Sequence, residues 1–157
     1  MEEEIVTLLA RHNLTITTAE SCTGGLIAAT LVNVPGISSY LNEGYITYSN
    51  EAKEKLLGVF HETLEQYGAV SMRTAEEMAR GARRAAEADI SIISTGIAGP
   101  DGGTKEKPVG LVYLACAYKN GVNVERHLFD GDRQEIRRAS VQAALALVLH
   151  TIQQEYE

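Results

Sequence analysis

The run Glu20-Ser21-Cys22-Thr23-Gly24-Gly25 gathers hydroxyls, a thiol and two glycines where a short β-branched stretch gives way to an apolar helical one. A helix start offers unpaired N–H groups and the positive end of a dipole. Thr23, Gly24 and Gly25 would therefore suit a phosphate, or the oxyanion of an attacked carbonyl. A plain N-cap with glycines admitting close packing fits the same residues. Ser21 is a nucleophile only if a base takes its proton. His12, His61, His127 and His150 form no short pattern with Ser or Asp, so no Ser-His-Asp triad is visible. A lysine whose pKa is lowered by burial is the other option. There are five lysines: Lys53 and Lys55 follow Tyr48-Ser49-Asn50, Lys105 and Lys107 flank a second glycine cluster, and Lys119 sits in a turn. That second cluster, Ser94-Thr95-Gly96-Ile97-Ala98-Gly99-Pro100-Asp101-Gly102-Gly103, lets backbone approach a ligand closely; a long structural loop is its plainer reading. Arg133, Arg137 and Arg138 open the last helix, where cations oppose the dipole, so one of them is a candidate anion contact. Cys22 is read as a small packing residue.

These side chains need elements to hold them. Ile5, Leu8 and Leu9 give helical spacing over 2–13. Residues 15–19 read as a strand, 26–32 as a helix, 40–48 as a second strand and 51–57 as a short helix capped by Ser49 or Asn50. Thr74 with Glu77 fits a capping box for a helix over 74–88 with a small apolar face of Ala75, Met78, Ala79, Ala82, Ala85 and Ala86. Residues 90–95 read as a third strand. Runs 109–118 and 122–129, separated by Lys119-Asn120-Gly121, predict an antiparallel hairpin. The last helix, 133–153, opens with Asp132 and Glu135 as a capping box and carries the stripe Ile136, Ala139, Ala143, Leu147 and Ile152. Alternating strands and helices with a late hairpin predict an α/β fold with a mixed sheet and helices on both faces. Both glycine clusters then fall at carboxyl ends of strands, where open α/β sheets bind ligands.

Composition narrows the chemistry. The chain has 157 residues, 45% hydrophobic and 22% charged, close to an average globular domain. One domain over 1–157 is expected, with no linker or repeat. The balance of 14 basic against 21 acidic residues, net −7, argues against direct nucleic-acid binding. Two cysteines and four histidines show no metal-ligand spacing, so neither metal nor cofactor is expected. The acidic N-terminus is no secretory signal, and no apolar run spans a membrane. A cytoplasmic location is the expectation.

The residues Thr18-Ala19-Glu20-Ser21-Cys22-Thr23-Gly24-Gly25 resemble the opening motif of the CinA C-terminal domain family, the competence-damage-inducible family that includes nicotinamide-mononucleotide deamidases. Tyr45 to Lys53, Gly68-Ala69-Val70-Ser71, Ser94 to Pro100 through Pro108-Val109-Gly110, and Gly131-Asp132-Arg133 with Ile136-Arg137 resemble its further motifs, in order along essentially the whole chain. The resemblance implies a three-layer α/β/α sandwich with a mixed, mostly parallel sheet of about five strands and a late antiparallel hairpin. It implies hydrolysis of nicotinamide mononucleotide to nicotinate mononucleotide and ammonia, in the stand-alone form without a second domain. Ser21 matches the nucleophile, Lys53 a general base and Tyr48 a neighbour of the proton-transfer machinery. Thr95 and Arg133 match binding or catalytic positions; Gly24, Gly25, Gly96 and Gly99 match loop glycines. Thr23 and Asn50 are taken as binding residues beside them. The partner expected is a small nucleotide, and self-association follows from the family. The alternative is a non-catalytic nucleotide-binding or competence- and repair-associated partner domain.

Overall fold

The computed structural model describes all 157 residues. In chain order the elements are α1 (Glu2–His12), β1 (Ile16–Glu20), α2 (Leu26–Val32), a 3₁₀ turn (Ile37–Ser39), β2 (Tyr45–Ile46), α3 (Asn50–Leu57), α4 (His61–Tyr67), α5 (Met72–Ala86), β3 (Ile90–Gly96), β4 (Leu111–Tyr118), β5 (Gly121–Leu128) and α6 (Arg133–Glu155). The sheet order is β2-β1-β3-β4-β5. β1 pairs in parallel with β2 and β3, while β4 pairs antiparallel with β3 and β5. Only β4 therefore runs against the other four strands. No helix is long and apolar enough to cross a membrane.

The pleat sorts the core into two halves. Ile16, Ile90, Ile92, Val112, Leu114 and Cys116 pack with α1, α2 and α6. Ala19, Ile93, Ala115 and Ala117 pack with α3, α4 and α5. Three layers result, as expected. The α5 side is lined by Ala75, Ala79 and Ala82, and these small residues let the helix lie close to the sheet. Ala85 is exposed, so the buried face ends a turn earlier than the alanine pattern predicts.

Four local expectations change. The strand expected over 40–48 is only Tyr45–Ile46. The Glu43 carbonyl accepts the Thr17 hydroxyl (2.8 Å), a side-chain bond in place of a ladder bond. Thr74 does not cap α5: Ser71 does, accepting the Thr74 N–H at 3.0 Å, three residues earlier. Glu77 is engaged elsewhere, accepting from the Phe60 N–H (3.0 Å) and the Thr63 hydroxyl (2.8 Å). Those contacts belong to α4, a helix the sequence pattern did not predict. Finally, α6 buries Ile136, Leu147 and Ile152 of its expected stripe while Ala139 and Ala143 are only half-buried, and it buries Ser140, Val141, Ala144, Leu145 and Val148 besides, because it is covered by α1 and α2 as well as by the sheet. Its Asp132–Glu135 capping box is present as predicted.

Candidate active site

β1 is followed by α2 and β2 on one side, while β3 lies on the other, so the chain changes direction at the β1–β3 boundary. That boundary is where an open sheet leaves a crevice. Ser21 follows β1 directly, and its N–H extends the β1–β3 pairing by donating to the Ser94 carbonyl at 3.0 Å. The nucleophile candidate is thereby fixed to the sheet. A cavity of about 220 Å³ opens beside it, lined by Ser21, Cys22, Tyr48, Lys53, Ala69, Val70, Thr95, Gly96, Ala98 and Arg133.

Lys53 arrives from α3. Ser49 caps that helix, its side chain accepting from the Ala52 N–H at 3.0 Å. The lysine is 1% exposed and is the largest fully buried side chain in the molecule. Its Nζ donates to Ser21 Oγ at 3.0 Å, to the Thr47 carbonyl at 2.9 Å and to the Tyr48 carbonyl at 3.4 Å. No carboxylate lies within ion-pair distance. Removal from water disfavours the ammonium, and its pKa falls to about 8. A neutral amine keeps two N–H groups for the two carbonyls and has its lone pair for the Ser21 proton.

Tyr48 and Arg133 stand on the open side. The Arg133 Nη1 donates to the Gly99 carbonyl (2.8 Å) and Nη2 to the Tyr48 hydroxyl (3.2 Å). Tyr48 is 62% exposed, so its contact with Lys53 is through the backbone and not the phenol. Thr95 lines the cavity but its hydroxyl is committed to the Ala69 carbonyl at 2.7 Å. At Gly96 an added Cβ would lie 2.6 Å from Val112 and 2.9 Å from the Leu111 carbonyl, so β4 itself demands the glycine.

Other residues singled out in the sequence lie outside the cavity. Asn50 is exposed on the first turn of α3. Gly25 is the N-cap of α2, and Gly24 sits in the preceding turn. The start of α2 is not open to an anion, because Glu20 fills it. Its carboxyl oxygens accept from the Ile27 N–H (2.8 Å), the Ala28 N–H (3.0 Å) and the Thr23 hydroxyl (2.5 Å). Thr23 also lies 2.7 Å from Ser94 Oγ. Burial pushes the Cys22 thiol up to about 11, which leaves it protonated. The four histidines do not line the cavity, and no group of three or more His, Cys, Asp or Glu is placed to hold a metal.

Glu20, Thr47, Ala69 and Val70 were given no role of their own by the sequence, although all lie in the motifs that carry the family resemblance. Arg137, a candidate anion contact in the sequence, instead holds the Cys22 and Thr23 carbonyls. A charged residue next to Ser21, ending an otherwise uncharged strand, was the available signal for Glu20. Nothing in the sequence marks the Thr47 carbonyl, because any residue has one.

The comparisons agree with this architecture. The model of the CinA C-terminal domain matches residues 1–152. A putative competence-damage inducible protein of Clostridium novyi is 56% identical over 145 residues, covering 92% of this chain and 35% of that protein. A namesake from Acetivibrio thermocellus is 57% identical over 141 residues, covering 90% and 34%. The chain thus spans about a third of the length of the curated relatives it matches. Among solved structures, competence/damage inducible protein CihA from Agrobacterium tumefaciens superposes with a TM-score of 0.89 at 45% identity, covering 95% of this chain and 93% of that one. Competence damage-inducible protein A from Klebsiella pneumoniae gives a TM-score of 0.94 at 35% identity, covering 99% and 96%. Sequence, sheet order and these superpositions converge: the chain belongs to the CinA C-terminal domain family.

Proposed function

We propose that this domain is a serine amidase hydrolysing the carboxamide of nicotinamide mononucleotide to nicotinate mononucleotide and ammonia, in pyridine-nucleotide salvage. The observation that carries the chemical half of this reading is Lys53: a buried amine without a carboxylate partner, 3.0 Å from a serine hydroxyl. Such a group works against folding, and perturbed buried titratable groups concentrate at functional sites. The substrate half rests on the family resemblance.

Neutral Lys53 takes the Ser21 proton as Oγ attacks the amide carbon. The resulting ammonium returns that proton to the leaving nitrogen, the C–N bond breaks, and ammonia departs. Water then attacks the acyl ester, again giving its proton to Lys53, and Ser21 regains one as the acid leaves. The Thr47 and Tyr48 carbonyls hold the amine in place throughout. Arg133 is a cation free of any carboxylate partner on the open side, suited to the 5′-phosphate.

Ser21→Ala should abolish ammonia release from nicotinamide mononucleotide while leaving the unfolding midpoint unchanged. General-base assistance alone is worth roughly 10²–10⁴-fold. Wild-type turnover in the variant would sink the nucleophile assignment. Tight nucleotide binding by the wild-type protein without ammonia release would favour the non-catalytic binding domain instead.

A further inference from the structure

With Glu20 occupying the start of α2, the oxyanion of the proposed reaction finds no donor there. The turn after Ser21 supplies one. Arg137, from α6, reaches across the fold: Nη2 donates to the Thr23 carbonyl at 3.1 Å and Nε to the Cys22 carbonyl at 3.0 Å. No carboxylate pairs with this guanidinium. The peptide bonds here are trans, so each N–H points opposite to its carbonyl. The Thr23–Gly24 peptide accepts from Arg137 on one side, and its Gly24 N–H donates to the Ser21 carbonyl at 3.1 Å on the other. The Ser21–Cys22 peptide accepts that bond, and its own N–H, on Cys22, donates to no backbone carbonyl. Cys22 lines the cavity and is buried.

This is a hydrogen-bond chain of two peptides with a cation at its tail and an open donor at its head. Each link polarises the next, strengthening the last N–H. Buried N–H groups without partners are rare, and one beside a nucleophile calls for a function. The Thr23 N–H, trans to the carbonyl that Arg137 Nε holds, is also unbonded. The first motif's glycine fits the same scheme: Gly24 has φ +58°, and an added Cβ would lie 3.4 Å from Arg137 Nη2.

Building on the amidase reading, we infer that Arg137 is a positioning residue: it holds the turn after Ser21 and, through two peptides, sharpens the Cys22 N–H as the oxyanion donor.

The test compares wild-type protein with Arg137→Ala and Arg137→Lys, the second keeping the charge if the first fails to fold. Removing one oxyanion donor costs roughly 10²–10³-fold in turnover, so a weakened and misplaced one should lower kcat by roughly 10–10²-fold, with KM within about twofold. Added guanidinium should restore part of the kcat of Arg137→Ala. The rate at which a fluorophosphonate labels Ser21 should fall in parallel with kcat, because that reaction builds charge on the same oxygen. Unchanged kcat and labelling rate, or a loss in KM alone, or a loss that guanidinium does not restore and that tracks the unfolding midpoint, would overturn the inference. If wild-type protein labels at Ser21 but releases no ammonia, the substrate assignment falls, and the labelling rates still decide the role of Arg137.

Discussion

Burying an amine without a carboxylate partner opposes folding, and Lys53 shows by how much. Its pKa drops from 10.5 to about 8, which corresponds to about 3 kcal/mol carried by the folded state at neutral pH. Below pH 8 the lysine is charged both folded and unfolded, and that burden is fully present. Between pH 8 and 10.5 the folded protein has released the proton while the unfolded chain still holds it, so stability rises with pH. Lys53→Met removes this dependence. The difference in unfolding free energy between wild type and Lys53→Met, measured by urea at pH 7.5 and at pH 10.5, should move by about 3 kcal/mol in favour of wild type. A difference that stays constant would mean the amine is not buried as a charge. On the proposed amidase mechanism the same titration sets the rate: kcat/KM should climb through about pH 8, since there only the neutral amine accepts the Ser21 proton.

Elements place that amine, and the contact between α3 and α5 is the tightest joint among them. A Cβ built on Gly81 would fall 1.8 Å from the Leu57 carbonyl, so α5 touches α3 backbone to backbone. In an isolated helix Gly→Ala gains about 1 kcal/mol. Here α3 must move, and overpacking of this kind costs about 1–3 kcal/mol. Lys53 sits one turn before Leu57, so the displacement reaches Nζ. Gly81→Ala should therefore lower the urea midpoint and, on the proposed function, the rate of ammonia release; a stabilised variant of undiminished rate would refute the joint.

The alanine run of α5 made its apolar face visible in the sequence, and the Asp132–Glu135 cap of α6 was equally legible because both partners lie within one turn. The start of α5 was misread because Ser71 and Thr74 both carry hydroxyls. The choice between them depended on Glu77 being drawn to Phe60 and Thr63. α4 was invisible for the converse reason: its cap comes from α5 and not from its own residues. Within the site, Ser21 and Lys53 were legible as types and through resemblance, whereas the Glu20 contacts and the carbonyl pair under Lys53 exist only once the strands are paired.

At the scale of the whole molecule, one reversed strand determines where the candidate site lies. β4 closes the sheet beside β3, so no crossover helix covers the carboxyl end of β3 on that side, and Ser94 to Ala98 meet Ser21 across the crevice. The walls come from both helical layers: Lys53 from one, Arg133 from the other.

The reach of Arg137 back to Cys22 and Thr23 spans 115 and 114 residues of chain. Contacts so distant in sequence carry a large loop-closure entropy and form late. The turn after Ser21 is therefore expected to take its final shape only once the last helix docks. On refolding from urea, helical signal should return before fluorophosphonate reactivity at Ser21 does; simultaneous recovery would show the turn forming without α6. A chain whose last helix is still undocked would carry its serine and lysine and yet be silent, so that reactivity serves as a built-in report that the protein is finished.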